Sequence, residues 1–311
     1  MQRRYQTVDV FTDRPFGGNP LGIVLDAEGL TTAQMQAVAA EFNYAETTFV
    51  FSPCAAEHAA RVRIFTPRIE VPFAGHPNVG TAYTLACEQE ARGGIQVDRL
   101  VFEEAAGLVP LTILRDGGII RGAELRAPEA LSVGATLSVE AAAACLMLEC
   151  ADITLATHPP QVLSVGLPFL VVELASREAL RRARGDLRSH EALLPAVGVD
   201  AVYAYCRDVL QPFIDGSAVL HARTFSPLDG VPEDPATGSA MAAMIARRAG
   251  LDAVCEGELR WQLHQGVDMG RPSLLLGRTV CAPGQRPTEV YVGGYCARLM
   301  AGTFWLKGAA G

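Results

Sequence analysis

The sequence contains no CxxC pair, no HExxH helix, no clustered carboxylates and no GxGxxG stretch. These absences remove the usual signatures of a redox dithiol, a zinc hydrolase and a dinucleotide enzyme. His58 and His76 stand far apart, so no metal site is expected. No run of about eighteen apolar residues is present, which argues against a membrane-spanning helix. Met1 to Val10 enters a strand pattern directly and lacks the apolar centre of a secretory leader, so a cytoplasmic location is expected. The eight cysteines are scattered, as expected of buried, reduced thiols. Clustered positive charge is scarce as well. A net charge of −8 disfavours nucleic acid and anionic membrane as partners. Arg177, Arg181, Arg182 and Arg184 lie at helical spacing beside acids and read as a solvated helix face.

What is present is an ordinary globular composition, 50% apolar and 19% charged, in a chain whose 311 residues suit two domains. The organising feature is an echo. Arg63-Ile-Phe-Thr-Pro67 recurs as Arg223-Thr-Phe-Ser-Pro227, 160 positions later. Pro77, Gly80 and Ala82 recur as Pro235, Gly238 and Ala240 at an offset of 158, each loop leading into an apolar helical run. Gly18-Asn-Pro-Leu-Gly-Ile-Val24 is echoed by Gly166-Leu-Pro-Phe-Leu-Val-Val172 at 148. Three echoes in one order, with a growing offset, imply internal duplication with insertions in the second copy. Two similar lobes facing each other are expected, residues 1–127 and 128–311, with the last strand free to pack back on the first lobe.

Within the first lobe, strands are predicted near Tyr5 to Phe11, Leu21 to Asp26 and Arg61 to Thr66. A helix capped by Thr31 or Thr32 runs to Phe42, and a buried helix covers about Val79 to Glu90. Three short strands follow, and Ala127 to Ser138 reads as a linker. In the second lobe the echoed loop leads into a helix from about Thr237 to Ala249. Near the C-terminus, Glu289 to Val292 and Tyr295 to Leu306 read as separate strands.

Each echoed loop precedes a helix, so its free N–H groups and the helix dipole can hold a carboxylate. Gly75, Gly80 and Gly238 allow close backbone approach; an ordinary capped helix start is the competing reading at each loop. His76 aligns with Asp234 in the echo, which puts a different proton-active group at one position in each copy. Glu46 lies where a helix gives way to a strand, between apolar and aromatic neighbours that would desolvate it. Taken singly, Glu46 also reads as a surface or capping carboxylate, and His76 as a structural histidine.

At these residues the chain resembles the PhzF-like family, the isomerases of phenazine biosynthesis and their relatives, which share the diaminopimelate epimerase fold. The matching stretches are Phe11 with Gly18-Asn-Pro-Leu21, Asn43-Tyr-Ala-Glu-Thr47, Phe65-Thr-Pro67, Pro72-Phe-Ala-Gly-His-Pro77, Glu233-Asp-Pro-Ala-Thr-Gly-Ser-Ala240, Gln265-Gly266 and Gly270-Arg-Pro-Ser273. The resemblance implies an α+β fold of two pseudo-symmetric lobes, each a curved, mostly antiparallel sheet or barrel around a central helix, with the active site in the cleft between them. It implies a homodimer and a cofactor-independent proton shift within a small carboxylate substrate, as in trans-2,3-dihydro-3-hydroxyanthranilate isomerisation. By motif, Glu46 becomes the proton-shuttling acid/base, with His76, Asp234 and Ser239 completing the polar site and Gly75 and Gly238 offering backbone to the substrate carboxylate. Related epimerases oppose two cysteines; neither loop carries one here, which disfavours a two-thiol racemase. Asn78 departs from the Thr of many relatives. An amino-acid epimerase of the same fold and a non-catalytic small-molecule binding protein are the alternatives.

Overall fold

The computed structural model describes residues 1–93, 96–207, 218–251, 257–282 and 287–306. The chain divides into two compact units, Met1–Leu125 with Gly293–Gly311, and Arg126–Val292. The division expected between 127 and 128 thus falls at 125/126, and residues from Gly293 onward belong to the first unit.

Unit 1 holds β1 (Gln2–Val10), β2 (Asn19–Val24), α1 (Thr32–Phe42), β3 (Glu46–Phe51), β4 (Ala60–Phe65), β5 (Glu70–Val71), α2 (Gly75–Ala91), β6 (Arg99–Glu104), β7 (Gly107–Asp116) and β8 (Ile119–Arg126). β1 pairs antiparallel with β2, β2 parallel with β3, and β3 antiparallel with β4. The ladder continues from β4 parallel to β6 and then antiparallel through β7 to β8. The last strand pairs with both β8 and β1, so eight strands close into a barrel. α2 runs inside this barrel, and Gly80 is why it fits. A Cβ there would lie 2.6 Å from Leu21 Cδ2 and 2.7 Å from Val10 Cγ2, on the β2 and β1 walls. Gly80 therefore serves packing rather than ligand approach. α1 packs outside, on a cluster including Met35, Phe49 and Phe65. Its start is fixed by a capping box between Thr31 and Gln34.

Unit 2 holds β9 (Ser132–Thr136), α3 (Val139–Leu146), β10 (Gln161–Ser164), β11 (Pro168–Glu173), α4 (Arg177–Arg182), α5 (Leu187–Leu193), β12 (Val202–Arg207), β13 (Ala218–Ser226), β14 (Val231–Asp234), α6 (Gly238–Ala249), β15 (Gly257–Gln265) and β16 (Ser273–Cys281). β17 (Pro287–Trp305) pairs with β16 through its first residues. The pairing sequence of unit 1 recurs: β10 antiparallel to β11, β11 parallel to β12, β12 antiparallel to β13, β13 parallel to β15, β15 antiparallel to β16. In both units a two-stranded hairpin precedes the buried helix, β4 with β5 and β13 with β14. The duplication read from three short echoes is a duplication of topology. α3, α4 and α5 cover a second cluster on the outside, including Leu146, Leu170, Leu180 and Phe225.

Several local expectations need correction. The linker expected at Ala127 to Ser138 contains β9, which pairs with β10. The two C-terminal strands are one strand of 19 residues. Gly293-Gly294 lies between the two expected strands, and Gly293 approaches Ala123 so closely that a Cβ would lie 2.5 Å from its carbonyl oxygen. α2 begins at Gly75 rather than near Val79: Pro77 is compatible with a first turn, whose N–H groups have no intrahelical partner. Six cysteines are free, but Cys281 is disulfide-bonded, so reduced thiols throughout is incorrect; Cys255 lies outside the described residues. The arginine-rich face is ion-paired, Arg177 with Asp268, Arg181 with Glu178 and Arg182 with Asp152.

Candidate active site

The two echoed arginines do the same work. Arg63 forms a two-pronged pair with Glu70 of β5 at 2.7 and 2.6 Å, and Arg223 does so with Glu233 of β14 at 2.8 and 2.7 Å. Each guanidinium also covers the Phe two residues on, Phe65 at 5.2 Å and Phe225 at 4.9 Å. The Arg-x-Phe echo is thus a clamp that fixes the hairpin in front of each buried helix. Neither helix start, Ala74 nor Thr237, makes a side-chain capping bond. Uncapped first-turn N–H groups are what an anion site requires. A Cβ on Gly75 would meet nothing within 4 Å, so this backbone borders open space.

In unit 1, Glu46 opens β3 and His76 lies in the first turn of α2. Their Oε2 and Nδ1 atoms are 3.4 Å apart, a loose contact by hydrogen-bond standards. It is not an ion pair. Burial pulls His76 from its ordinary value down to about 3, only partly opposed by a bond to the Pro20 backbone, so the imidazole is neutral. A neutral partner can orient the Glu46 carboxylate without holding it as a salt. His76 Nε2 is buried with no hydrogen-bond partner, leaving one ring atom uncommitted.

In unit 2, Thr237 Oγ1 donates to Asp234 Oδ2 at 2.5 Å and lies 2.7 Å from Thr224 Oγ1. Fully buried Gln265 organises this loop: its Nε2 donates to Asp234 O at 2.9 Å and its Oε1 accepts from Thr237 N at 3.1 Å. Gly266, at φ +70°, could carry no Cβ, because Arg271 O would be 2.3 Å away and Pro235 O 2.7 Å. Ser273 Oγ donates to Pro235 O at 2.9 Å. Gly238 is buried and Ser239 half-buried in the first turn of α6. Of the expected site residues, Glu46, His76 and Gly75 are gathered in unit 1, and Asp234, Gly238 and Ser239 in unit 2.

Register supplies the counterpart of Glu46 that the sequence conceals. Thr47 pairs with Phe65 and Val202 with Phe225, so the echoed Phe residues align Glu46 with Ala201 and Thr48 with Tyr203. Unit 2 therefore has a buried methyl where unit 1 has its acid. Sequence reasoning missed the work of Gln265 and Thr237, although Gln265-Gly266 lay within a recognised motif. It also missed Glu104, whose carboxyl oxygens are buried at the end of β6. Among the described residues, no group of three or more His, Cys, Asp or Glu is gathered as metal ligands, and no helix is long and apolar enough to cross a membrane.

The duplicated helix-filled units define a class of fold, the diaminopimelate epimerase-like fold. Within it, the phenazine biosynthesis-like protein model matches residues 8–302, and the chain belongs to that family. It is 37% identical over 310 residues to an uncharacterized isomerase of Mesorhizobium japonicum, covering 98% of this chain and 99% of the relative. It is 33% identical over 305 residues to the trans-2,3-dihydro-3-hydroxyanthranilate isomerase of Pseudomonas aeruginosa, covering 97% and 99%. The crystal structure of a Bacillus anthracis PhzF-family protein matches with a TM-score of 0.85 at 25% identity, covering 98% of this chain and all of that one. The chain is an isomerase of this family.

Proposed function

We propose that Glu46 takes a proton from an activated carbon of a small carboxylate-bearing substrate and returns it elsewhere in the molecule, without a cofactor. The observation that carries this reading is the Glu46 carboxylate beside a neutral, buried imidazole. A carboxylate can abstract a proton from an activated carbon, and its conjugate acid can deliver one. The uncapped first turns of α2 and α6 offer N–H groups to the substrate carboxylate through Gly75 and Gly238. Asp234 and Ser239 serve the same reaction. The substrate belongs with trans-2,3-dihydro-3-hydroxyanthranilate, the compound named for the Pseudomonas relative. The reading includes a cytoplasmic homodimer with no nucleic-acid or membrane partner.

Turnover in deuterated water tests the chemistry: label enters product with wild type, and Glu46→Gln abolishes incorporation while its circular dichroism is unchanged. An active Glu46→Gln variant refutes the assignment. Dialysis against a chelator is expected to leave turnover intact, and light scattering is expected to give twice the chain mass.

A further inference from the structure

Among the described residues, four other than glycine have φ in the left-handed region, and they fall into two kinds. Asn43 and Met147 end α1 and α3, where that conformation is ordinary. Phe11 and Phe16, at φ 64° and 70°, lie in one loop between β1 and β2, together with Gly18 at 63°. Left-handed backbone is costly for a bulky side chain and persists only where other interactions over-determine it. For Phe11 the compensation is visible: its ring is 1% exposed, and burying a whole Phe is of the same order as the strain. Phe16 gains no such burial, being 73% exposed. Its backbone is nevertheless held in place. The buried Asp9 carboxylate accepts from Phe16 N at 2.8 Å, Thr12 Oγ1 donates to Arg14 O at 3.0 Å, and Thr12 N donates to Tyr295 O at 3.0 Å. A Cβ on Gly18 would lie 2.2 Å from Val10 O, so the loop folds tightly back on β1.

Unit 2 shows what this connection needs as a turn alone. Its echo of Gly18-Asn-Pro20 is Gly166-Leu-Pro168, and there residues 165–167, none aromatic, join β10 to β11. Unit 1 uses residues 11–18 instead. The longer, strained loop stands in the unit that carries Glu46, and at the same end of the barrel. Leu21 of β2 pairs with Glu46 at the start of β3, and the Pro20 backbone bonds to His76 in the first turn of α2. We propose that Phe16 is a specificity-determining residue that presents its ring to a flat, unsaturated ring of the substrate, so that flat cyclic carboxylates are selected over saturated ones of the same size. This rests on the isomerase reading above and deepens it: Glu46 moves the proton, and Phe16 reads the ring that carries it. Ring pairs add a preference for stacked or edge-on geometry to simple burial. Fixing the ring beforehand on an anchored loop also avoids the cost of ordering it on binding.

Calorimetric titration with 2-aminobenzoate, a flat ring bearing a carboxylate, and with cyclohexanecarboxylate, a saturated ring of similar size, tests the proposal. Wild type should prefer the flat ring, and Phe16→Ala should weaken its binding about tenfold with less effect on the saturated one. Phe16→Trp should keep the preference. Phe16→Gly should lose affinity as Phe16→Ala does and yet melt no lower than wild type, because glycine removes the left-handed strain. In the label-exchange assay with trans-2,3-dihydro-3-hydroxyanthranilate, Phe16→Ala should lower kcat/KM about tenfold, mainly through KM. Wild type that does not bind 2-aminobenzoate, or unchanged affinity in Phe16→Ala and Phe16→Gly, overturns the assignment; so does an equal loss for both rings. A lower melting temperature of Phe16→Gly shows a ring that packs within the protein and overturns it too. Self-association lost on light scattering, with affinity unchanged, places the ring at a subunit contact and does the same. Wild type that binds 2-aminobenzoate through Phe16 but exchanges no label refutes the isomerase reading alone.

Discussion

The two units share a scaffold and differ in chemistry. Both clamp a hairpin with an Arg–Glu pair, both stack that Arg on a Phe, and both start a buried helix without a side-chain cap. Unit 1 then leaves polar atoms uncommitted, at His76 Nε2, Asn78 Oδ1 and the Glu104 carboxyl. Unit 2 ties its loop down, with Asp234 bonded by Thr237 and the backbone held by Gln265. Where unit 1 has Glu46 and Thr48, unit 2 has Ala201 and Tyr203. Duplication supplied two helix ends without a side-chain cap; divergence at a few register positions left a carboxylate, Glu46, at the strand start of only one unit.

The comparison breaks most sharply at Glu46. Glu46→Gln should lower proton-exchange turnover by about 10²–10⁴-fold, read as label incorporation, with no change in melting. Next is the difference between the clamps. Arg223 is 5% exposed and also donates to the carbonyls of Leu180, Arg181 and Ala183, so Arg223→Ala should cost about 3–5 kcal/mol in urea unfolding. The His76 shift predicts an acid limb of stability. Its folded value is depressed, so the unfolded chain binds the extra proton below about 6.5 and stability falls with pH, by about 3 kcal/mol at pH 4. His76→Asn should flatten that slope in unfolding experiments across pH 4–7. Gly80→Ala should cost about 1–3 kcal/mol, because the barrel wall must move for a Cβ. Smallest is Arg63→Ala: this clamp is about one-third exposed on both partners, and its loss should cost under about 1 kcal/mol. Equal costs for Arg63→Ala and Arg223→Ala would show that burial does not distinguish the clamps.

Legibility followed the range of the interactions. A cap at Thr31 or Thr32, α1 to Phe42 and the strand at Arg61 were readable because caps and alternation act over a few residues. The last strand was divided in two because Gly293-Gly294 carry no side chains to continue the alternation, whereas they serve a close strand approach. β9 in the expected linker was missed because its five residues are all exposed and show no apolar alternation.

The sequence by itself determined the duplication, the family, and the positions of Glu46, His76 and Asp234, because recurring residues at recurring spacing need no coordinates. Only the tertiary structure decided that His76 is neutral, that Ala201 stands opposite Glu46 in the repeat, that Gln265 holds the Asp234 loop, and that Glu104 lies against Asn78. Those outcomes depend on desolvation and on strand register, which arise between residues far apart in the chain and leave no periodic trace in it.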